Sequence, residues 1–147
     1  MDTHSYLSGY VDGEGCFCVT FNRSKRHSLG WDIRPSFSVS QNRDRAEVLY
    51  LLRDTFRCGW IRPDRSDRTL KYEVRSVPDL VAKVIPHFEC YPLRSSKARE
   101  FEAFAEICKM MFRKEHLVGP GFAKIVGLAA LLNASSKKRY PRLEIMV

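Results

Sequence analysis

One short stretch carries most of the chemistry this sequence can offer. In Leu7-Ser8-Gly9-Tyr10-Val11-Asp12-Gly13-Glu14-Gly15, two carboxylates, Asp12 and Glu14, fall at the end of a short helical run. The negative end of the helix dipole and their mutual repulsion disfavour an unpaired acid there unless a cation sits with it. Gly9 and Gly13 lie four apart, hence on one face of that helix, and each costs about 0.5–1 kcal/mol relative to Ala. Their missing Cβ atoms allow a second helix to come close. Residue chemistry alone leaves two readings open. One is a helix stop with two surface acids, as in many Gly-x-Gly turns. The other is a helix pair that brings two copies of Glu14 over a hard metal ion.

Other reactive side chains are less organised. The four histidines (His4, His27, His87 and His116) show no metal-ligand spacing. The five cysteines (Cys16, Cys18, Cys58, Cys90 and Cys108) are odd in number and irregularly spaced. Neither a zinc site nor a disulfide framework is expected, and a reducing, intracellular compartment is.

Charge and composition narrow the class. With 25 Lys+Arg against 17 Asp+Glu the formal charge is +8, which favours a polyanionic partner: DNA, RNA or a lipid surface. At 44% hydrophobic and 29% charged residues, the chain is neither disordered nor membrane-embedded in bulk. No apolar run is long enough for a bilayer, and no signal or transit segment is expected at the N-terminus. A length of 147 residues suits one domain over the whole chain, with 134–147 as a basic tail.

The elements that must position the acids can be read from periodicity. Residues 3–12 open as a helix with Asp2 or Thr3 as N-cap, ended by Gly13 and Gly15. Phe17, Val19 and Phe21 alternate with Cys16, Cys18, Thr20 and Asn22, which predicts a half-buried strand. A second run sets Ile33, Phe37 and Val39 against Asp32, Arg34, Ser36, Ser38 and Ser40, giving an antiparallel hairpin with a basic tip. A helix is expected over 43–57, stopped by Gly59, then a second hairpin over about 59–64 and 69–76. Pro78 starts a helix that Pro86 curtails. Residues 96–115 and 121–133 complete the series as apolar helices. The order α-β-β-α-β-β-α-α-α leaves helices covering the apolar face of both hairpins and the other face open.

Leu7 to Gly15 resembles the LAGLIDADG motif of homing endonucleases, in the variant ending Asp-Gly-Asp/Glu-Gly. The order of elements is similar too, as are Ser40–Arg45 after the second strand and Tyr91-Pro92-Leu93 followed by Lys97. The resemblance covers roughly residues 5–133. It implies an α+β fold, an αββαββα module with extra C-terminal helices, whose antiparallel sheet forms a DNA-binding saddle. With one motif in the chain, it implies a homodimer on double-stranded DNA through Leu7, Gly9, Tyr10 and Gly13, and no small-molecule substrate.

By the same resemblance, Glu14 and the Gly13 carbonyl bind Mg²⁺ or another divalent metal, and Gln41, Arg45 and Lys97 complete the catalytic pocket. Arg94 rivals Lys97, and Asp12 is structural. Base readers are expected among Cys18, Thr20, Asn22, Arg34, Ser36, Ser38 and Ser40 on the first hairpin and Arg62, Lys71, Glu73 and Arg75 on the second. Arg23, Lys25, Arg26, His27, Arg65 and Arg68 at the tips are expected on phosphates. The implied activity is site-specific hydrolysis of both strands of a long, nearly palindromic DNA site by an intron-encoded enzyme, in an organelle or a prokaryotic cytoplasm. A maturase acting on RNA, or a DNA-binding protein without cleavage, are the alternatives on the same scaffold.

Overall fold

The computed structural model describes residues 2–66 and 68–132. The expected basic tail lies outside these residues. Helix α1 (Thr3–Glu14) starts at Asp2, whose carboxylate accepts from the His4 amide. Without an intervening loop the chain enters β1 (Gly15–Arg23), turns, and returns as β2 (Trp31–Asn42). A 3₁₀ turn (Arg43–Arg45) leads into α2 (Glu47–Phe56). Then come β3 (Trp60–Pro63) and β4 (Thr69–Val74). Arg57 in the left-handed region caps α2, and Gly59 at φ +79° follows it. A Cβ on Gly59 would lie 2.6 Å from the Glu73 carbonyl oxygen, so the α2-to-β3 corner requires glycine.

All four strands form one antiparallel sheet in the order β1-β2-β4-β3. Phe17 pairs with Phe37, and Phe37 with Val74, on the covered face. Cys18 pairs with Ser36, Ser38 with Glu73, and Arg62 with Lys71 on the other. The mixed α+β architecture and the split of strand faces agree with the sequence reading.

Several boundaries differ, beginning with α1, which runs through Gly13 to Glu14 and ends only at Gly15. Strand β2 runs on to Asn42 and the first residues of the expected 43–57 helix are a 3₁₀ turn, so α2 begins only at Glu47. Pro86 does not end its helix. The α-helical turn α3 (Val77–Asp79) passes through a π-helical stretch (Leu80–Val84) into α4 (Ile85–Cys90). Pro86 then follows the wider π-helical turn, in which the Ile85 amide bonds the Leu80 carbonyl, so the helix passes the proline without ending. Helix α5 (Lys97–Phe112) stops short of 115, and α6 (Gly119–Ala129) starts with Pro120 in its first turn.

The core is an aromatic cluster between the sheet and α4 and α5. The Phe17 ring lies 5.3 Å from Phe37, 5.1 Å from Phe104 and edge-on to Phe88 at 5.8 Å. Leu7 and Val11 of α1 are buried in the same core. The motif helix is therefore anchored by one face and held against the sheet.

Candidate functional site

The end of α1 is pinned from several directions. Ser8, nearly two turns before it, donates its hydroxyl to the Tyr91 carbonyl (2.6 Å) and lies 3.0 Å from His87 Nε2. His4 stacks on Tyr91 at 5.0 Å between ring centroids. Asp12 accepts from the Arg94 amide at 3.1 Å and from both the amide (3.1 Å) and hydroxyl (2.6 Å) of Ser95. Partial burial opposes ionisation of Asp12, but these hydrogen bonds and Lys97 outweigh it and hold the carboxyl below its usual range. The Lys97 ammonium donates to the Gly15 carbonyl at 2.5 Å. Gly15 itself admits no side chain: a Cβ would lie 2.5 Å from Val11 Cγ1 and 2.9 Å from Val11 O.

Between these anchors sits Glu14. It is exposed, and among the described residues its carboxylate makes no hydrogen bond and no ion pair. It lines an open cleft with Ser40, Gln41, Asn42 and Thr69. Asp12 thus has the structural part expected of it, while Glu14 is left free for a ligand. Gln41 reaches this cleft although it shares the parity of core residues Phe37 and Val39. Glu14 ends a helix that lies on the core side, and β2 outruns the covered core, so that parity aims Gln41 toward the acid. Asn42 and Thr69 are lining residues that the sequence reading missed. They are cross-strand partners at the sheet end, visible only once β2 is known to extend that far.

The basic candidates separate. Lys97 has its cation on the Gly15 carbonyl, beside Glu14. Arg94 is engaged here through its amide, with its side chain exposed. Arg45 is exposed in the 3₁₀ turn after β2 and does not line the cleft.

The face of α1 turned away from the core carries Tyr6, Gly9 and Gly13, with Tyr10 half-buried at its edge and packed against the core. A Cβ on Gly9 or on Gly13 would meet nothing within 4 Å. Neither glycine is therefore needed for packing among the described residues. Leu7, expected on a partner interface, is corrected: it is 0% exposed and belongs to the chain's own core.

On the open face of the sheet, the polar candidates are placed unevenly. Thr20, Arg34, Arg65, Arg68 and Arg75 are exposed, as is Lys25 at the first tip, and Cys18, Asn22, Ser36, Ser40, Arg62 and Lys71 are half-buried. Arg34 is held by Asp32 at 2.7 Å. Ser40 donates to Asp64 at 3.1 Å. Two candidates are not at the surface: Ser38 is 7% and Glu73 5% exposed, because both sit mid-sheet under longer neighbours. Arg23 has the parity of Phe21 and lies over the Trp31 ring at 4.7 Å, away from the polar rows. The sequence reading also passed over Trp60, which is exposed and pairs with Glu73 on that polar face. No helix among the described residues is long and apolar enough to cross a membrane.

A sheet with one covered and one cationic face, entered by a helix whose last residue is an unpartnered acid, has the architecture of a homing-endonuclease module. The chain belongs to the LAGLIDADG endonuclease family, whose family model matches residues 7–108. It is similar to a probable intron-encoded endonuclease 3 of Neurospora crassa, at 35% identity over 86% of this chain and 24% of that protein. Among solved structures it resembles the homing endonuclease I-TnaI, at 35% identity and TM-score 0.84 over 90% of this chain and 89% of that one. It also resembles I-SmaMI bound to uncleaved target DNA with calcium ions, at 27% identity and TM-score 0.85 over 91% of this chain and 45% of that one. The chain spans about a quarter of the length of the first curated relatives it matches.

Proposed function

We propose that this chain is one half of a site-specific DNA endonuclease. Two copies pair through the Gly9–Gly13 face of α1 and bring two Glu14 carboxylates together beside a scissile phosphate. One observation carries the reading: among the described residues Glu14 is exposed and unpartnered while Asp12 and Lys97 beside it are tied down, next to a helix face on which Gly9 and Gly13 meet nothing within 4 Å. An acid rigidly presented without a partner is a ligand in waiting. A similar protein of about this chain's length, I-TnaI, supports a single module as the repeating unit.

The donors at this corner fit a hard divalent cation. They are oxygens or amides: the Glu14 carboxylate, the Gly13 carbonyl at the helix end, and the side chains of Gln41, Asn42 and Thr69. Among the described residues no three acidic, His or Cys side chains cluster; in the proposed pair a second Glu14 joins the first. Held by these groups, a divalent cation such as Mg²⁺ would supply a more acidic water and charge to offset that on the leaving oxygen. The chain's own residues do the rest. Gln41 and Asn42 orient water and non-bridging phosphate oxygens by hydrogen bonds. Lys97, its ammonium fixed by Gly15, holds a positive charge against the phosphate without closing onto Glu14. Arg45, exposed just past β2, steadies the backbone on the way in. A water loses a proton to solvent as its oxygen bonds phosphorus, the P–O3′ bond breaks to leave a 5′-phosphate, and the 3′ oxygen takes a proton back from solvent. The two-fold pair repeats this on the second strand.

The open sheet face supplies the DNA contacts, with Arg34, Arg62 and Lys71 in its rows and Lys25, Arg65 and Arg68 at the tips. The gene is proposed to be intron-encoded, by likeness to the Neurospora relative's description. The test is Glu14→Gln in a cleavage selection from a randomised duplex library with Mg²⁺. The variant is expected to bind DNA as the parent does and to cut none. Retained cleavage removes Glu14 from the chemistry.

A further inference from the structure

We infer that Arg62 reads a guanine in each half-site and that Glu73 is the positioning residue that holds it, resting on the DNA-binding reading above. The two lie diagonally across β3 and β4 on the open face, within reach of each other's side chains. Glu73 Oε1 accepts from Arg62 Nη2 at 3.0 Å, and Oε2 from the Ser36 hydroxyl at 2.7 Å. The Lys71 ammonium stands 3.9 Å from Oε2. Burial works against ionisation of Glu73. The hydrogen bonds from Ser36 and Arg62, with Lys71 nearby, more than compensate, so the carboxyl lies below its usual range.

A carboxylate enclosed in this way has both oxygens occupied and no path to a cytosine amine. The side chain that looks outward is Arg62, 42% exposed against 7% for its partner. Of the five guanidinium N–H donors, one is taken by Glu73 and one faces the Pro63 carbonyl at 3.5 Å. The other three donors make no hydrogen bond among the described residues. A guanidinium held at Nη2 with donors to spare suits the paired O6 and N7 acceptors of guanine, and it loses less freedom on binding than a loose arginine. Arg65 and Arg68, on the exposed turn between β3 and β4, lack such a clamp among the described residues and suit phosphates.

The experiment is a binding selection from a randomised duplex DNA library with the full chain, its Arg62→Lys and Arg62→Ala forms, and Glu73→Gln. The parent is expected to prefer guanine at one position per half-site by roughly ten- to a hundred-fold. Both Arg62 variants are expected to lose that preference and keep the others. Glu73→Gln is expected to relax the same position by a smaller factor without weakening binding to unrelated duplex. If Arg62→Lys keeps the whole base profile, with affinity lowered evenly, Arg62 holds a phosphate and the inference fails. It fails equally if Glu73→Gln alters a different, cytosine position. Should Glu73→Gln not fold, the Arg62→Lys profile decides alone. A parent that enriches no sequence at all overturns the endonuclease reading beneath, a result separable from the other failures.

Discussion

Gly9 and Gly13 set two properties against each other, and replacing both with alanine separates them. Gly9 lies mid-helix in α1 and Gly13 in its last turn, with no atom within 4 Å of either added Cβ. In the isolated chain the exchange removes only backbone freedom from the unfolded state and adds helix propensity. That is about 1 kcal/mol at Gly9 and roughly half as much at the helix end. The double variant should gain about 1–1.5 kcal/mol, or about 3–6 °C in Tm for a domain of this size. In the pair the sign reverses. Four methyl groups enter a helix crossing, each overpacked contact costing about 1–3 kcal/mol. A net loss of even about 3 kcal/mol weakens association over a hundredfold. Guanidinium unfolding at a dilution where the chain is monomeric measures the first effect, and sedimentation equilibrium with cleavage assays measures the second. A variant that is more stable yet associates and cuts like the parent refutes the helix-face interface. A variant that is less stable refutes the open space around these glycines. Gly15→Ala is the internal contrast, since its Cβ would strike Val11 and must destabilise.

Two further outcomes follow from the anchors of α1. Asp12→Asn replaces the acceptor of three hydrogen bonds with a group whose amide opposes two backbone donors, and should cost about 1–2 kcal/mol after allowance for its partial exposure. Because the folded carboxyl titrates below its usual value, the gap between parent and variant should be full at pH 7 and close as pH falls below about 4; equal stabilities at neutral pH count against the anchor. Burial, with His4 nearby and Asp2 partly opposing, pushes the His87 imidazole down to about 4. The unfolded chain then binds its proton first, so stability should decline by about 2–3 kcal/mol from pH 6.5 to 4 and level off below, and a His87→Gln variant with an unchanged slope would clear His87 as the cause.

Much of this site was legible because short-range rules govern it. The Asp2 cap and the alternation of Phe17, Val19 and Phe21 depend on local spacing, and the choice of Lys97 over Arg94 for the pocket rests on a resemblance that spans these residues. What escaped depends on tertiary context. Strand parity places Gln41 on the covered side but is silent on where the cover ends, and only the overrun of β2 turns it toward Glu14. Parity also assigns Ser38 and Glu73 to the open face without showing that β2 and β4 are the inner strands, where long neighbours bury short side chains. Leu7 illustrates the opposite error: helical spacing already divides Leu7, Ser8 and Val11 from Tyr6, Gly9, Tyr10 and Gly13, yet the motif as a unit blurs that division. The π-helical stretch before Pro86 has no sequence signal that we recognise.

Alternation along the strands has a consequence for how this protein can change over time. Residues that hold the sheet together and residues that face a ligand occupy different parities of the same strands, so a substitution at Thr20, Arg34 or Lys71 disturbs little of the aromatic cluster beneath. Selection can therefore retune what the open face prefers, position by position, while the scaffold stays intact. Ser36, Arg62 and Glu73 are the exception. Linked by hydrogen bonds to one carboxylate, they form a block that must drift together, and a lineage moving to a new target should change the three as a set or leave all of them alone.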